Sequence, residues 1–483
     1  MTFTKKSALI ALCLFTTANV LAEKYTNRTF IAIPTCGAAH SGYAKVRALK
    51  NADNDVLNHM KVGGFYSAST NGNKLASSLL VDGTNLLRIL GSEAESSSSP
   101  FSFLNENFIH NNAADATIAS LMGNITLSPS RTVWGMNFGY ERTMPYFEKM
   151  FFSVNLPVLG VAHDLRATAT NTTAVNGATL LQFFEGNYQQ TLASTHNLQT
   201  ALTSAIFGGR KTAAGVASVD VNVGYNLVDE EEVGARIRAF VHFPTGTSVK
   251  GKYLFEPRVG NGRHYEIGAA FDTDIQLYHS QCCGLDFYAS AAVGYSVEAT
   301  EYRTVGLRDR RHFVNLFLPQ YLLFGAVSSS TDQALIPGAN ILTMPLSVRP
   351  GVSFDACTKL AFHYNKFGVN ACYTLGARSS EVVKVKSWTD GVYAVAAVDY
   401  STATAFAADL TKSYGYAYNR SDLDTSVCSV PALVTHKLSG SVSWSPTIRR
   451  SECSFAAGAG YQFAPGNYAV EHYDVFAKVG VSF

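Results

Sequence analysis

The sequence predicts an all-β chain, a closed antiparallel transmembrane β-barrel of about 12 strands, within roughly 10–16. Three observations carry this. Apolar and polar residues alternate with a period of two along one segment after another. Short and long connections alternate between those segments. No stretch approaches the ~18 uninterrupted apolar residues that would mark a spanning helix.

The alternating segments are 59–67, 131–141, 148–157, 216–228, 234–243, 264–278, 285–298, 346–365, 369–380, 434–446, 453–463 and 471–483. In the second, Trp134, Met136, Phe138 and Tyr140 oppose Gly135, Asn137 and Gly139. In the fourth, Val219, Val221, Val223, Tyr225 and Leu227 oppose Asp220, Asn222, Gly224 and Asn226. Ala235, Ile237, Ala239, Val241 and Phe243 oppose Arg236, Arg238 and His242. The clearest segment places Tyr265, Ile267, Ala269, Phe271, Ile275 and Leu277 on one face, with Glu266, Asp272, Asp274 and Gln276 on the other. That length suits a tilted strand crossing a bilayer better than a globular strand of about 5–6 residues. In the last segment Tyr473, Val475, Val479, Val481 and Phe483 share one face, with Asp474, Lys478 and Ser482 on the other.

Short links cover 142–147, 229–233, 279–284, 366–368 and 447–452, and long ones cover 68–130, 158–215, 244–263, 299–345 and 381–433. Outer-membrane barrels have this asymmetry, with short periplasmic turns and long external loops. A soluble sandwich or propeller predicts shorter strands and more even links. Within the long links, Leu198, Leu202 and Ile206 fall at helical spacing before Gly208-Gly209, which predicts a short loop helix. Segment 92–103 is a low-complexity loop.

Composition narrows the class. Charged residues are 15% and aromatic residues 12%, with 38 Lys+Arg against 36 Asp+Glu, so no basic face for nucleic acid is implied. The first 22 residues read as a signal peptide: a basic Lys5-Lys6, an apolar Ala8–Phe15 and a small-residue end at Val20-Leu21-Ala22, with a mature start near Glu23. Residues 23–58 are then a periplasmic N-terminal extension or a plug, and 59–483 the barrel. Export through a cleavable signal peptide and a barrel together imply the bacterial outer membrane, whose lipid is the first partner.

On the signal peptide, the long amphipathic strands and the C-terminal strand YDVFAKVGVSF, the chain resembles bacterial outer-membrane β-barrel proteins of the porin or transport-barrel type. The segments PTG (244–246) and YLFEPRVGNG (253–262) are similar to transport barrels for fatty acids and aromatic compounds, and no site residue is carried over from that likeness. The resemblance implies that Tyr473, Val479, Val481 and Phe483 act as the signal read by the barrel-assembly machinery. A homo-oligomer is compatible with the class.

The candidate pore lining follows from the polar faces: Asp220, Arg236, Arg238, Glu266, Asp272 and Asp274. Rows of opposite charge across water would orient and select polar solutes. The alternative is that the charges pair with one another in a filled lumen. A basic group at Arg303, Arg308, Arg310, Arg311 and His312 reads either as an anion-attracting patch or, more simply, as a solvated loop. Of the 8 Cys, Cys13 lies in the signal peptide, which leaves an odd number. Cys36, Cys282 and Cys283 fall on the periplasmic side and are candidates for disulfides, the alternative being inert thiols.

No metal site is expected, for want of a C-x-x-C or paired-His spacing. No cofactor is expected either. The histidines His242, His264, His279, His363 and His436 are scattered, and no G-x-S-x-G, P-loop or H-E-x-x-H occurs, so the chain is not expected to be an enzyme. The functional expectation is a porin-like channel for passive diffusion of small polar solutes. The alternative is a non-conducting structural or adhesive barrel whose long loops (158–215, 299–345 and 381–433) meet a partner.

Overall fold

The computed structural model describes residue 28 and residues 58–80, 85–89, 123–144, 147–170, 180–187, 190–191, 197–230, 232–308, 323–326, 336–395, 417–448 and 451–483. The barrel strands are β1 (Asn58–Ser69), β2 (Ser130–Met144), β3 (Phe147–Asp164), β4 (Ser218–Asp229), β5 (Val233–Pro244) and β6 (Glu266–His279). They continue with β7 (Cys283–Ser296), β8 (Ser353–Tyr364), β9 (Phe367–Arg378), β10 (Leu433–Trp444), β11 (Ser451–Phe463) and β12 (His472–Ser482). Neighbours in sequence are neighbours in space, and all pairings are antiparallel.

The sheet closes on itself where the last strand meets the first. β12 pairs with β1 from Ser482 opposite His59 to His472 opposite Ser69. Asn58 and Phe483 exchange backbone hydrogen bonds of 2.9 and 3.0 Å beyond that ladder. Each segment expected from alternation is a wall strand, with one correction. The expected 346–365 is two pieces, Thr343–Arg349 in a separate small sheet and β8 in the wall. Pro350-Gly351 separates them: proline has no N–H for a ladder and glycine bends freely, so the chain changes sheets there.

A second irregularity lies between β3 and β4. Lys211–Val216 pairs with the end of β3, Val216 opposite Val158, whereas Asp220 lies opposite Asn155. The one-residue slip falls at Ala217, whose N–H donates to the carbonyl of Pro157 (2.9 Å). Proline cannot return a donor at that rung, and a bulge is the accommodation. Gly260, at φ +77, lies against the bulge, and a Cβ there would stand 2.3 Å from the Ala217 carbonyl.

Apolar side chains dominate the outer face. Met136, Ile237, Ile267, Phe271, Leu438, Val442 and Val475 are all exposed there, with Trp134, Tyr265, Tyr364, Trp444 and Tyr473 toward strand ends. This is the belt and aromatic girdle that lipid demands. Tyr473, Val479, Val481 and Phe483 sit on this outer face at the closing seam.

The long connections fold over one end. Helix α1 (Gly72–Leu79), α2 (Leu180–Phe184), α3 (Gly338–Leu342) and several short sheets share one core, with Leu75, Leu79, Phe184, Phe207, Phe324 and Leu346 fully or almost fully buried. Residue 28 belongs here, its N–H donating to Ser78 O (3.0 Å). The rest of 23–57 and segment 92–103 lie outside the described residues. The link between β11 and β12 at this same end is brief, residues 464–471.

The expected loop helix at 198–206 is a correction. Asn197–Gln199 is a strand, Ala205 has a left-handed φ of 52, and the N–H groups of Ala205 and Ile206 donate to Gly251 and Lys252. Leu202 and Ile206 still pack into the cap core, so burial selected the apolar residues without a helix. The wall makes a direct prediction. Leu438, mid-strand and 56% exposed on the outer face, becomes costly when charged. Leu438→Arg should lower barrel stability by about 2–4 kcal/mol in reversible unfolding from lipid vesicles.

Candidate functional site: the lumen wall and the cap

Alternation turns one side chain in two inward, and the inward set is polar. Arg236 and Arg238 on β5 and Asp272 on β6 face the same interior, with Arg236 directly opposite Asp272 in the ladder. Arg236 Nε donates to Asp272 Oδ2 (3.0 Å) and Arg238 Nε to the same oxygen (3.1 Å). Arg236 Nη1 also reaches Glu141 on β2 (3.4 Å), and Ser290 Oγ on β7 donates to Asp272 Oδ1 (2.6 Å). Arg238 Nη1 donates to Asn222 Oδ1 on β4 (3.0 Å). The group spans β2 and β4 to β7.

Of the expected lining residues, Arg236, Arg238 and Asp272 therefore form one cluster. Glu266 lies farther along β6, taking donors from Ser353 (2.9 Å) and Asn261 (3.3 Å). Asp220 is inward and only 2% exposed. Asp274 is inward, opposite Gly234. The arginine and aspartate rows stand on adjacent strands and bond directly, so they neutralise one another instead of facing across a gap. The side chains of Arg236, Arg238 and Asp272 keep 19%, 26% and 16% of their surface open.

Sequence reading missed Glu141 and Ser290, although both continue the polar faces of their strands. It also missed the Lys437–Asp474 pair, at 2.9 Å between β10 and β12 and 6% exposed on each side. Among the cysteines, Cys282 is exposed, and Cys283 Sγ lies 3.1 Å from Ser280 Oγ. Cys36 lies outside the described residues.

The cap carries a second constellation. Arg303 is fully buried, with Nη2 2.6 Å from Glu301 Oε2 and Nη1 2.6 Å from Glu381 Oε2. Its Nη1 also donates to the Cys428 carbonyl (2.7 Å). Arg258 Nη1 and His264 Nε2 both approach Glu301 Oε1, at 3.2 and 3.1 Å. His264 Nδ1 faces the Val297 carbonyl at 2.8 Å. Both ring nitrogens thus meet oxygens at hydrogen-bond distance. Three separate long connections meet in this network.

The expected basic loop patch is corrected by this arrangement. Arg303 is neither solvated nor surface-displayed, because two carboxylates draw it into the core. Arg308 is exposed, and Arg310, Arg311 and His312 lie outside the described residues.

Burial alone would raise the Glu301 carboxyl, but the Arg303 and Arg258 guanidiniums beside it overcome that and hold it well below the carboxylate range. Glu381 behaves alike: burial opposes its charge, and Arg303 and Arg378 restore it. Burial pushes the Cys428 thiol up to about 12. Depressed carboxyls stabilise the fold above the unfolded Glu value of about 4.3, and that stabilisation is lost as pH falls through their folded values. Protection factors of cap amides, referred to the intrinsic exchange rate at each pH, should therefore be unchanged from pH 8 to about 5 and should fall on further acidification, while the wall stays protected. Arg303→Met, which leaves two buried carboxylates short of a partner, should destabilise the cap by roughly 3–5 kcal/mol, read as new protease cleavage at 297–308 and 379–385 with the wall intact.

No known family profile and no curated protein matches the chain. Solved structures similar to it include an outer-membrane channel from Pseudomonas putida F1, at 7% identity over 90% of this chain and 100% of that one, TM-score 0.37. The transport unit of an Escherichia coli autotransporter, AIDA-I, is 8% identical over 95% and 99% of the two chains, TM-score 0.35. A Pseudomonas aeruginosa FadL homologue is 8% identical over 89% and 90%, TM-score 0.30. At these values the comparisons say nothing of solute or activity, and the barrel stands on the strand pairing given above.

Proposed function

We propose that the protein is a bacterial outer-membrane channel that lets small polar solutes diffuse through its lumen, with the cap at the external end and the hairpin turns in the periplasm. One observation carries this reading: a charged, partly open cluster of Arg236, Arg238, Asp272 and Glu141 inside a wall whose outer face is apolar. A polar interior within an apolar belt is what a water-filled barrel requires. Selection rests on width and on the charges at the wall, and the reading assigns no covalent chemistry to the chain. The solute is small because the inward side chains are largely buried and because the long connections share one core over the entrance. The signal peptide, the assembly role of the Phe483 strand and a homo-oligomer belong to this same proposal.

A second reading has its own observation. The arginines are matched by Asp272 and Glu141 at hydrogen-bond distance, as expected of a filled, structural barrel whose cap meets partners. Planar-bilayer recording separates the two. A channel should give reproducible conductance steps, and Arg236→Glu should move its ion selectivity toward cations. A protein that inserts and stays silent supports the structural barrel and sinks the channel.

A further inference from the structure

Cys357 lies on β8 and Cys372 on β9, both on the inward face. In the ladder Cys357 stands opposite Thr374 and Lys359 opposite Cys372, so the two cysteines are diagonal neighbours. Their sulfurs are 3.2 Å apart. A diagonal pair on a flat sheet is spread wider than a disulfide spans. The inner surface of a barrel is concave, however, and inward side chains converge there. The two thiols point at each other across that concavity. Cys372 Sγ also has the Thr374 hydroxyl at 3.8 Å and the Ser439 side chain beside it.

We propose that Cys357 and Cys372 form a disulfide that staples β8 to β9 on the lumen side of the wall. The inference rests on the export reading, since disulfides persist in oxidising compartments. The oxidant is a protein dithiol oxidase in its disulfide form, acting by exchange. One cysteine thiolate attacks the oxidant disulfide and displaces one of its sulfurs, giving a mixed disulfide. The second cysteine thiolate attacks the first at sulfur and releases the oxidant's other sulfur. The chain loses two protons and two electrons, and the oxidant gains them as two thiols. Exchange takes place on the chain before the barrel closes, when both sulfurs are accessible. Cys282 and Cys283, expected from sequence position, sit where β6 turns into β7, with Cys283 Sγ 3.1 Å from Ser280 Oγ.

The staple is tested on the full chain isolated from outer-membrane fractions, with thiols blocked by iodoacetamide in denaturant before any reduction. Trypsin cleaves after Lys359 and Lys366, so the two cysteines leave on different peptides. The expected result is a linked peptide pair, two hydrogens lighter than the sum of its parts, that disappears on reduction. Cys357→Ser and Cys372→Ser should each release the remaining thiol to alkylation. Alkylation of both cysteines without reductant, or linkage of either to a third cysteine, overturns the proposal. The fraction in which the chain is recovered reads export separately, so an unlinked pair in envelope protein counts against the staple and not against the outer-membrane reading.

Discussion

Backbone hydrogen bonding in lipid is the constraint on which the rest depends. A peptide group facing hydrocarbon has no water to turn to, so each strand needs a partner on both sides and the sheet has no permissible edge. The closing of β12 on β1 is the answer, and it ties the two ends of the described barrel together through Asn58 and Phe483. The even strand number follows, since first and last strands can pair antiparallel only when the count is even. The bulge at Ala217 shows the same constraint locally. Pro157 withdraws one donor, and the neighbouring strand shifts by a residue to keep the remaining rungs paired.

Lipid and water invert the usual placement of side chains, and the chain solves this twice. In the wall, apolar residues face out, and charged ones meet in the interior as Arg236–Asp272–Arg238 and Lys437–Asp474. In the cap the familiar order returns, with Leu75, Phe184, Phe324 and Leu346 inside. The charges buried there are matched. Glu301 has Arg303, Arg258 and His264 around it, and Glu381 shares Arg303. Such a network adds little over a well-packed apolar replacement, but it penalises any arrangement that parts its members. It therefore serves registration: residues from three long connections must assemble together or leave a charge stranded.

The barrel was legible because period two is a local signal. A strand such as 264–278 shows its two faces without reference to any other part of the chain. The lumen cluster was half legible for the same reason. Parity places Arg236, Arg238 and Asp272 inward, but register decides whether they bond, and register is a property of two strands. The cap was illegible. Glu301 and Arg303 stand two residues apart, but Arg258 and Glu381, which complete the network, come from other connections at no fixed spacing, so Arg303 reads as part of an exposed basic loop. The helix expected at 198–206 failed because cap burial asks only for apolar side chains, and backbone bonds to 251–252 served in place of helical ones. Segment 346–365 ran on because alternation continues across Pro350-Gly351 while the sheet does not.

In the proposed channel, wall and cap divide the work between them. The wall is continuous and hydrogen-bonded on every strand, so its charges are held in fixed places along the lumen. The cap holds its place through one apolar core, one ion network and the backbone bonds of its short sheets. Opening for a solute would separate cap elements while every rung of the barrel stayed paired. Such a motion costs cap contacts, the backbone bonds of the short sheets among them, and needs no backbone group exposed to lipid. On the proposed function, control of passage accordingly belongs to the long connections, and selectivity to the residues that alternation points inward.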